Sequence, residues 1–316
     1  MPRQTQATDA SDPPQGVALA ASAFLIWGLS PIYWKALASV PAFEILMHRM
    51  IWSFVFLAPL VLLQGHLKDL IGALTSGRTL LILSLTTLIV GVNWFLYIWA
   101  INSGHILQAS LGYYIAPLVN VLLGVVFLKE RLRRLQLVAV GLAAVGVTYL
   151  TLNYGQFPWV ALALAFSFGF YGLIRKVASV GPLVGLTVET LLLSIPASAY
   201  LLYLDHIGRG AFLHDGTTIS LMLIGTALVT GLPLLLFTMG TKLLRLATVG
   251  FLQYTAPSCT FLLAVFVYHE PLLPAQLLTF GLIWTALAIY SYDSVIYHRR
   301  VLKSRYGTQM NTDEHR

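Results

Sequence analysis

The segment PAFEILMHRMIWS, residues 41–53, sets Glu44, His48 and Arg49 in an otherwise apolar run. Glu44 and His48 are four residues apart, so on a helix they share a face, and Arg49 lies about 10 Å along it at 1.5 Å per residue. With Lys35, at the end of the preceding apolar run, they form the densest charged group outside the basic connections. The chemistry that suits them is a vestibule drawing in an anionic or zwitterionic small molecule, with Arg49 and His48 on its path. The plainer reading is anchoring, with Lys35 and Arg49 reaching toward headgroups or Arg49 paired with Glu44.

Glu189, in GLTVETLLL, is the one carboxylate plainly inside an apolar run of the second half. On a helix starting near Leu183 it stands about 9 Å from the end. A carboxylate placed so can carry a proton, and the residue it matches in the first half, His48, is of the type that titrates near neutral pH. A hydrogen bond from Glu189 to a neighbouring helix is the simpler alternative. Asn93, Trp94 and Tyr97 (from NWFLYIW), Tyr113, Tyr114 and Asn120, and Gln253, Tyr254 and Thr255 supply aromatic and amide groups. Such groups suit a cavity that holds amphipathic organic molecules by stacking and sparse hydrogen bonds, although singly most aromatics only pack. Trp34, Trp99, Tyr290, Tyr292 and Tyr297 stand near run ends and are expected in interfacial belts. Pro117 and Pro257 fall near the middle of paired runs, where each frees a backbone carbonyl and suits a hinge or a fixed kink.

Other chemistry finds little support. Cys259 is the only cysteine, the eight histidines are scattered without an HExxH pattern, and no Gly-rich phosphate loop is present. No metal, cofactor or catalytic residue is therefore expected. The rivals to solute transport are an enzyme embedded in the membrane and a scaffold or receptor that moves nothing. A changed product in liposomes would mark the first, and silence across broad flux screens the second.

These residues need elements to hold them. Of the 316 residues 58% are hydrophobic and 10% charged, far from the roughly one quarter charged of a soluble domain. Apolar runs near 17–37, 43–65, 79–102, 107–128, 135–152, 158–175, 183–204, 217–241, 248–268 and 275–296 are each about long enough to cross a bilayer. Ten crossings put both ends of the chain, and every even-numbered connection, on one side. That side takes all of the 19 lysines and arginines except Lys35, Arg49 and Arg209. The positive-inside rule makes it cytoplasmic, and the same placement argues against nucleic-acid binding despite the net charge of +7. The small-residue string at Ala20–Ala23 lies within the first run rather than after it, so an uncleaved first span is expected. Residues 66–78 and 205–216 read as the longest loops. Ala139, Gly141, Ala143 and Gly146 read as close packing rather than as a dimer face, leaving monomer and homodimer both open.

YYIAPLVNVLLGVVFLKE (113–130) returns as QYTAPSCTFLLAVFVYHE (253–270) at a constant offset of 140. The register continues through Leu132/Leu272, Gln136/Gln276 and Gly141/Gly281. Two halves of five crossings each must run in opposite senses, the architecture of alternating-access carriers. The expected fold is all-α and polytopic, with a polar tail 1–15, repeats 16–152 and 153–296, and a basic tail 297–316. Glu130 and Glu270, ahead of helices starting near Gln136 and Gln276, are expected to cap those helices.

FLIWGLSPIYWKAL, PAFEILMHRMIWS, AINSGHILQASLGYYIAPLVNVLLGVVFLKERL, and YGLIRK followed by GLTVETLLL resemble the RarD branch of the EamA group, within the drug/metabolite transporter superfamily. The resemblance spans nearly all of residues 16–296. It implies a ten-helix, two-repeat carrier of the bacterial inner membrane that exports small metabolites or drug-like solutes.

Overall fold

The computed structural model describes residues 12–269 and 274–313. The helices are α1 Pro14–Ala36, α2 Ala42–Leu63, α3 Leu67–Thr75, α4 Gly77–Asn102, α5 Ile106–Phe127 and α6 Arg134–Tyr154, followed by α7 Trp159–Val177, α8 Pro182–His206, α9 Thr217–Leu243, α10 Leu246–Gln253, α11 Thr255–Phe266 and α12 Pro274–Asp313. Ten segments among the described residues are long and apolar enough to cross a membrane, α10 and α11 together making the ninth. With ten crossings, α1 begins on the same side as α12 ends, the basic side.

Local chemistry sets most ends. Pro14 and Pro182 open α1 and α8 in the first turn, where a missing N–H costs nothing. Gly155, at φ 74°, closes α6 in the left-handed region that side chains avoid. The ninth span breaks at Tyr254, between α10 and α11. Pro257 has no N–H to return to the carbonyl of Gln253, which loosens the helix there. Pro117 leaves α5 continuous, so the two prolines are not equivalent in form.

Two stretches differ from expectation. Residues 66–78 are not a plain loop, because α3 forms within them. Leu70, Ala73 and Leu74 pack on Leu83, Val184 and Val188, while Leu67 and Ile71 stay exposed, the two-faced pattern of a short surface helix. The last helix also continues past residue 296 to Asp313, so the basic tail begins as helix.

The two halves pack as related copies. α2 lies on α8, α5 on α10 and α6 on α12, each pair joining equivalent helices. α1 packs on α9 and α11, just as its counterpart α7 packs on α4 and α5. Even a backbone oddity repeats: Lys129 and His269, 140 residues apart, have φ of 56° and 52°, which non-glycine residues seldom adopt. Between helices in lipid, small residues permit close approach. A Cβ on Gly28 would sit 2.6 Å from Cys259 Cβ, and Gly146 accepts a hydrogen bond from Thr279 Oγ1 at 3.1 Å.

Glu130 corrects one expectation. Its carboxylate caps α10, taking the N–H groups of Leu246 at 2.6 Å and Ala247 at 2.9 Å. α6 is served instead by Gln136, whose Oε1 accepts from the backbone of Arg133. The positive end of a helix from the other half lies within reach, so a local capping signal is satisfied across the repeat. Glu270 lies outside the described residues.

Candidate functional site

Arg49 neither pairs with Glu44 nor reaches outward. Its Nε donates to Thr230 Oγ1 of α9 at 2.8 Å, and the guanidinium carbon lies 4.9 Å from the Trp34 ring centre and 5.3 Å from that of Trp94. Trp34 is itself fixed by a 3.1 Å bond from Nε1 to Ser30 Oγ. Tyr97 and Tyr113 meet edge-on with centroids 5.9 Å apart, within electrostatic reach of Arg49. No carboxylate pairs with Arg49 among the described residues.

The expected charged cluster is thus divided. Glu44 accepts from the backbone N–H of Ala211 at 2.7 Å, and His48 packs on Phe212 and takes a bond from Trp52 Nε1. Five residues at 100° each turn Arg49 about 140° away from Glu44, so the acid and the histidine face the α8–α9 connection while Arg49 faces inward. His48 therefore lies outside the chamber that Arg49 lines. Lys35 is exposed, with Nζ 3.7 Å from the Tyr268 ring centre.

The exposure pattern of α5 marks where this chamber opens. Ile106, Ser110 and Tyr113 form an exposed stripe, yet Pro117, Asn120 and Gly124 on the same stripe further along are buried. Leu122 and Val126 are exposed on another face, as for lipid contact. The Tyr113 stripe thus faces a cleft that reaches the side away from the termini and is closed toward the basic side. At its floor Asn120 Nδ2 donates to Gln253 Oε1 at 2.6 Å, and a Cβ on Gly250 would meet Pro117 O at 2.5 Å. Past Tyr254 the chain leaves α5, and α11 packs on α1.

Below the floor, the ends of α7 and α9 are tied crosswise. Lys176 donates to the carbonyls of Thr241 (3.0 Å) and Leu244, and Lys242 donates to those of Ala178 (2.6 Å) and Val180 (2.7 Å). Each lysine thereby caps the C-terminus of the other helix, where a cation is favoured. At the offset of 140, these lysines correspond to Ala36 and Asn102, neither of which is a cation. Asp12 adds a further tie, accepting from Arg245 N at 2.8 Å and Thr248 Oγ1 at 2.5 Å. A separate recess of about 690 Å³ opens on the basic side between α3, the start of α4, α8 and α9, lined in part by His66, Asp69, Ser179 and Met239. Leu57 and Val61, further along α2 from Arg49, are fully buried.

Glu189 accepts from Thr86 Oγ1 at 2.5 Å and Tyr171 OH at 3.0 Å, and lies 3.5 Å from Arg175 Nε. The charge distribution places Arg175 in a basic connection; it is 1% exposed, and Gly185 makes room for it, since a Cβ there would lie 2.2 Å from Nη1. Lys35 stands 140 residues before Arg175, the one signal that marked the position. Nothing in the sequence singled out Thr230, one of several threonines in its apolar run.

The remaining candidates hold helices together. Asn93 donates to Leu164 O and Ser167 Oγ, tying α4 to α7. Tyr254 donates to Tyr114 O at 3.3 Å, and the Tyr114 ring packs on Phe280. Tyr290, expected at the interface, is buried on Phe251 with centroids 3.9 Å apart and bonds Thr248.

Two antiparallel copies of a five-helix unit, with a polar-lined chamber at their junction, define a polytopic membrane carrier fold. The EamA-like transporter family matches the chain twice, over residues 14–152 and 158–292, and the chain belongs to that family. It is similar to the uncharacterized transporter YojE of Bacillus subtilis, at 47% identity over 90% of this chain and 96% of that protein. It is similar also to protein RarD of Salmonella typhi, at 45% identity over 92% of this chain and 99% of that one. A solved crystal structure 18% identical aligns with TM-score 0.68 over 90% of this chain and 98% of its own, which shows the shared fold. The protein is a multi-pass membrane transporter of the RarD type.

Proposed function

We propose that this transporter exports small organic solutes across the bacterial inner membrane by alternating access, with both termini in the cytoplasm. The observation that carries the reading is the unequal packing of equivalent helices. α5 and α10 are in close contact on the basic side, whereas α5 and α11 part toward the other side and leave the Tyr113 stripe accessible. Exchanging the conformations of the two repeats would close that cleft and open its counterpart, which is how an inverted repeat alternates. The segregation of lysine and arginine supports a cytoplasmic basic side, so the described conformation would face outward.

Glu189 remains the candidate for proton coupling, now as half of a pair. Protonating it would strand the Arg175 charge in a dry site, so proton uptake and a movement of Arg175 would have to occur together. Export driven by the inward proton gradient is the direction this scheme favours. Reconstituted protein with an imposed pH gradient tests it: accumulation of unmodified solute against its own gradient is expected. A chemically altered solute, or no flux for any solute that binds, would overturn it.

A further inference from the structure

We infer that the chamber selects organic monocarboxylates with an aromatic or apolar body. This rests on the carrier reading for its meaning in transport, but the binding claim stands on the geometry around Arg49. Thr230 takes the Nε–H of Arg49, and the indoles of Trp34 and Trp94 lie against the guanidinium. What is left is the edge bearing Nη1 and Nη2. Arg49 is half-buried, no hydrogen bond from either Nη is present among the described residues, and neither nitrogen is among the polar atoms sealed away without a partner. Those donors therefore face the open cleft.

A guanidinium pinned at Nε and flanked by rings offers two parallel N–H groups in a fixed plane, the geometry that matches the two oxygens of a carboxylate. Its orientation is set before a ligand arrives, so little freedom is lost on binding. The phenols of Tyr97 and Tyr113 add aromatic surface beside it. Charge then narrows the class. Among the described residues Arg49 is the only cation in the chamber: Lys35 lies over Tyr268, His48 is turned to Phe212, and Arg175 is paired with Glu189. One cation balances a monoanion and leaves a phosphate ester with uncompensated charge. Glu44 is engaged by Ala211 and faces away, so among the described residues no carboxylate in the chamber awaits an ammonium group. The site thus favours a simple carboxylate over an amino acid with the same body, and over an amine.

The test is equilibrium binding to the purified full chain in nanodiscs, with four probes that share a phenyl body: phenylacetate, phenylacetamide, phenylalanine and phenyl phosphate. Phenylacetate is expected to bind roughly tenfold to a hundredfold more tightly than phenylacetamide, the span of a charge-assisted paired bond, and more tightly than the other two. Arg49→Gln should remove the preference, bringing phenylacetate to the level of the amide. Thr230→Val, which frees Nε but keeps the charge, should narrow the preference without abolishing it, and guards against a fold lost in the first variant. Equal binding of acid and amide, tighter binding of phenyl phosphate or phenylalanine, or an acid preference that survives Arg49→Gln would each overturn the assignment. Because binding is read without flux, the carboxylate preference can hold even where reconstituted protein fails to transport, and that result would refute the carrier reading alone.

Discussion

Arg175 Nε lies 3.5 Å from Glu189 Oε1, and both side chains are 1% exposed. The two stand on consecutive helices of the second repeat, joined across the short connection between α7 and α8. Nε and Nη1 of Arg175 have no hydrogen-bond partner, so the carboxylate is the main compensation for a charge far from water. Thr86, from the first repeat, completes the ligation of Glu189 and so couples the pair to α4.

Glu189→Ala should destabilise the protein by about 3–5 kcal/mol, because it leaves a buried charge alone. The double variant Arg175→Met, Glu189→Leu should recover most of that loss. Unfolding in detergent, followed by tryptophan fluorescence, measures both. A double variant no more stable than the single one would show that the ion pair is not the source of the effect.

Proton coupling makes a separate demand on the same residue. Glu189→Gln keeps the shape and the hydrogen bonds that an amide can form, but cannot gain or lose a proton. Transport by this variant should be indifferent to an imposed pH gradient, whatever its rate. Gradient dependence equal to that of the parent protein would remove Glu189 from the coupling step.

The crossed lysines should bias the carrier toward the described conformation. Lys176→Met and Lys242→Met each deprive two helix-end carbonyls of a charged donor, a loss of about 1.5–3 kcal/mol for each hydrogen bond removed. With Cys259→Ser as background, a cysteine at position 113 should react with a water-soluble maleimide more slowly once either lysine is gone. Unchanged labelling would mean that the lysines do not hold the basic side shut.

Gly250 tests the floor of the chamber. Its Cβ position lies 2.5 Å from a backbone oxygen of α5, which cannot swing aside as a side chain would. Gly250→Ala should cost about 1–3 kcal/mol and slow transport by spreading α5 from α10. Gly141, with nothing within 4 Å of its Cβ position, is the matched control, and Gly141→Ala should leave both stability and flux near their starting values.

Orientation is open to direct measurement. Cysteines placed in both tails, again with Cys259→Ser, should resist a membrane-impermeant reagent on intact cells and react after permeabilisation. Labelling without permeabilisation would invert the assigned sides.

Sequence by itself determined the number of crossings, their antiparallel duplication and the sidedness of charge. Each of these follows from one-dimensional quantities: the length of apolar run needed to span hydrocarbon, the constant offset of 140, and the distribution of lysine and arginine. It also picked out Arg49, Trp94, Tyr97 and Tyr113, because polar and aromatic groups stand out against an apolar background. What it could not assign was their partners. Helix phase separated Arg49 from Glu44 although they are five residues apart, and Glu130 found its N–H groups on a helix more than a hundred residues away. Thr230, Trp34 and Arg175 acquired their roles only through packing. A side chain's neighbours depend on which helix lies across from it and on the angle at which they cross. No pattern along the chain carries that information.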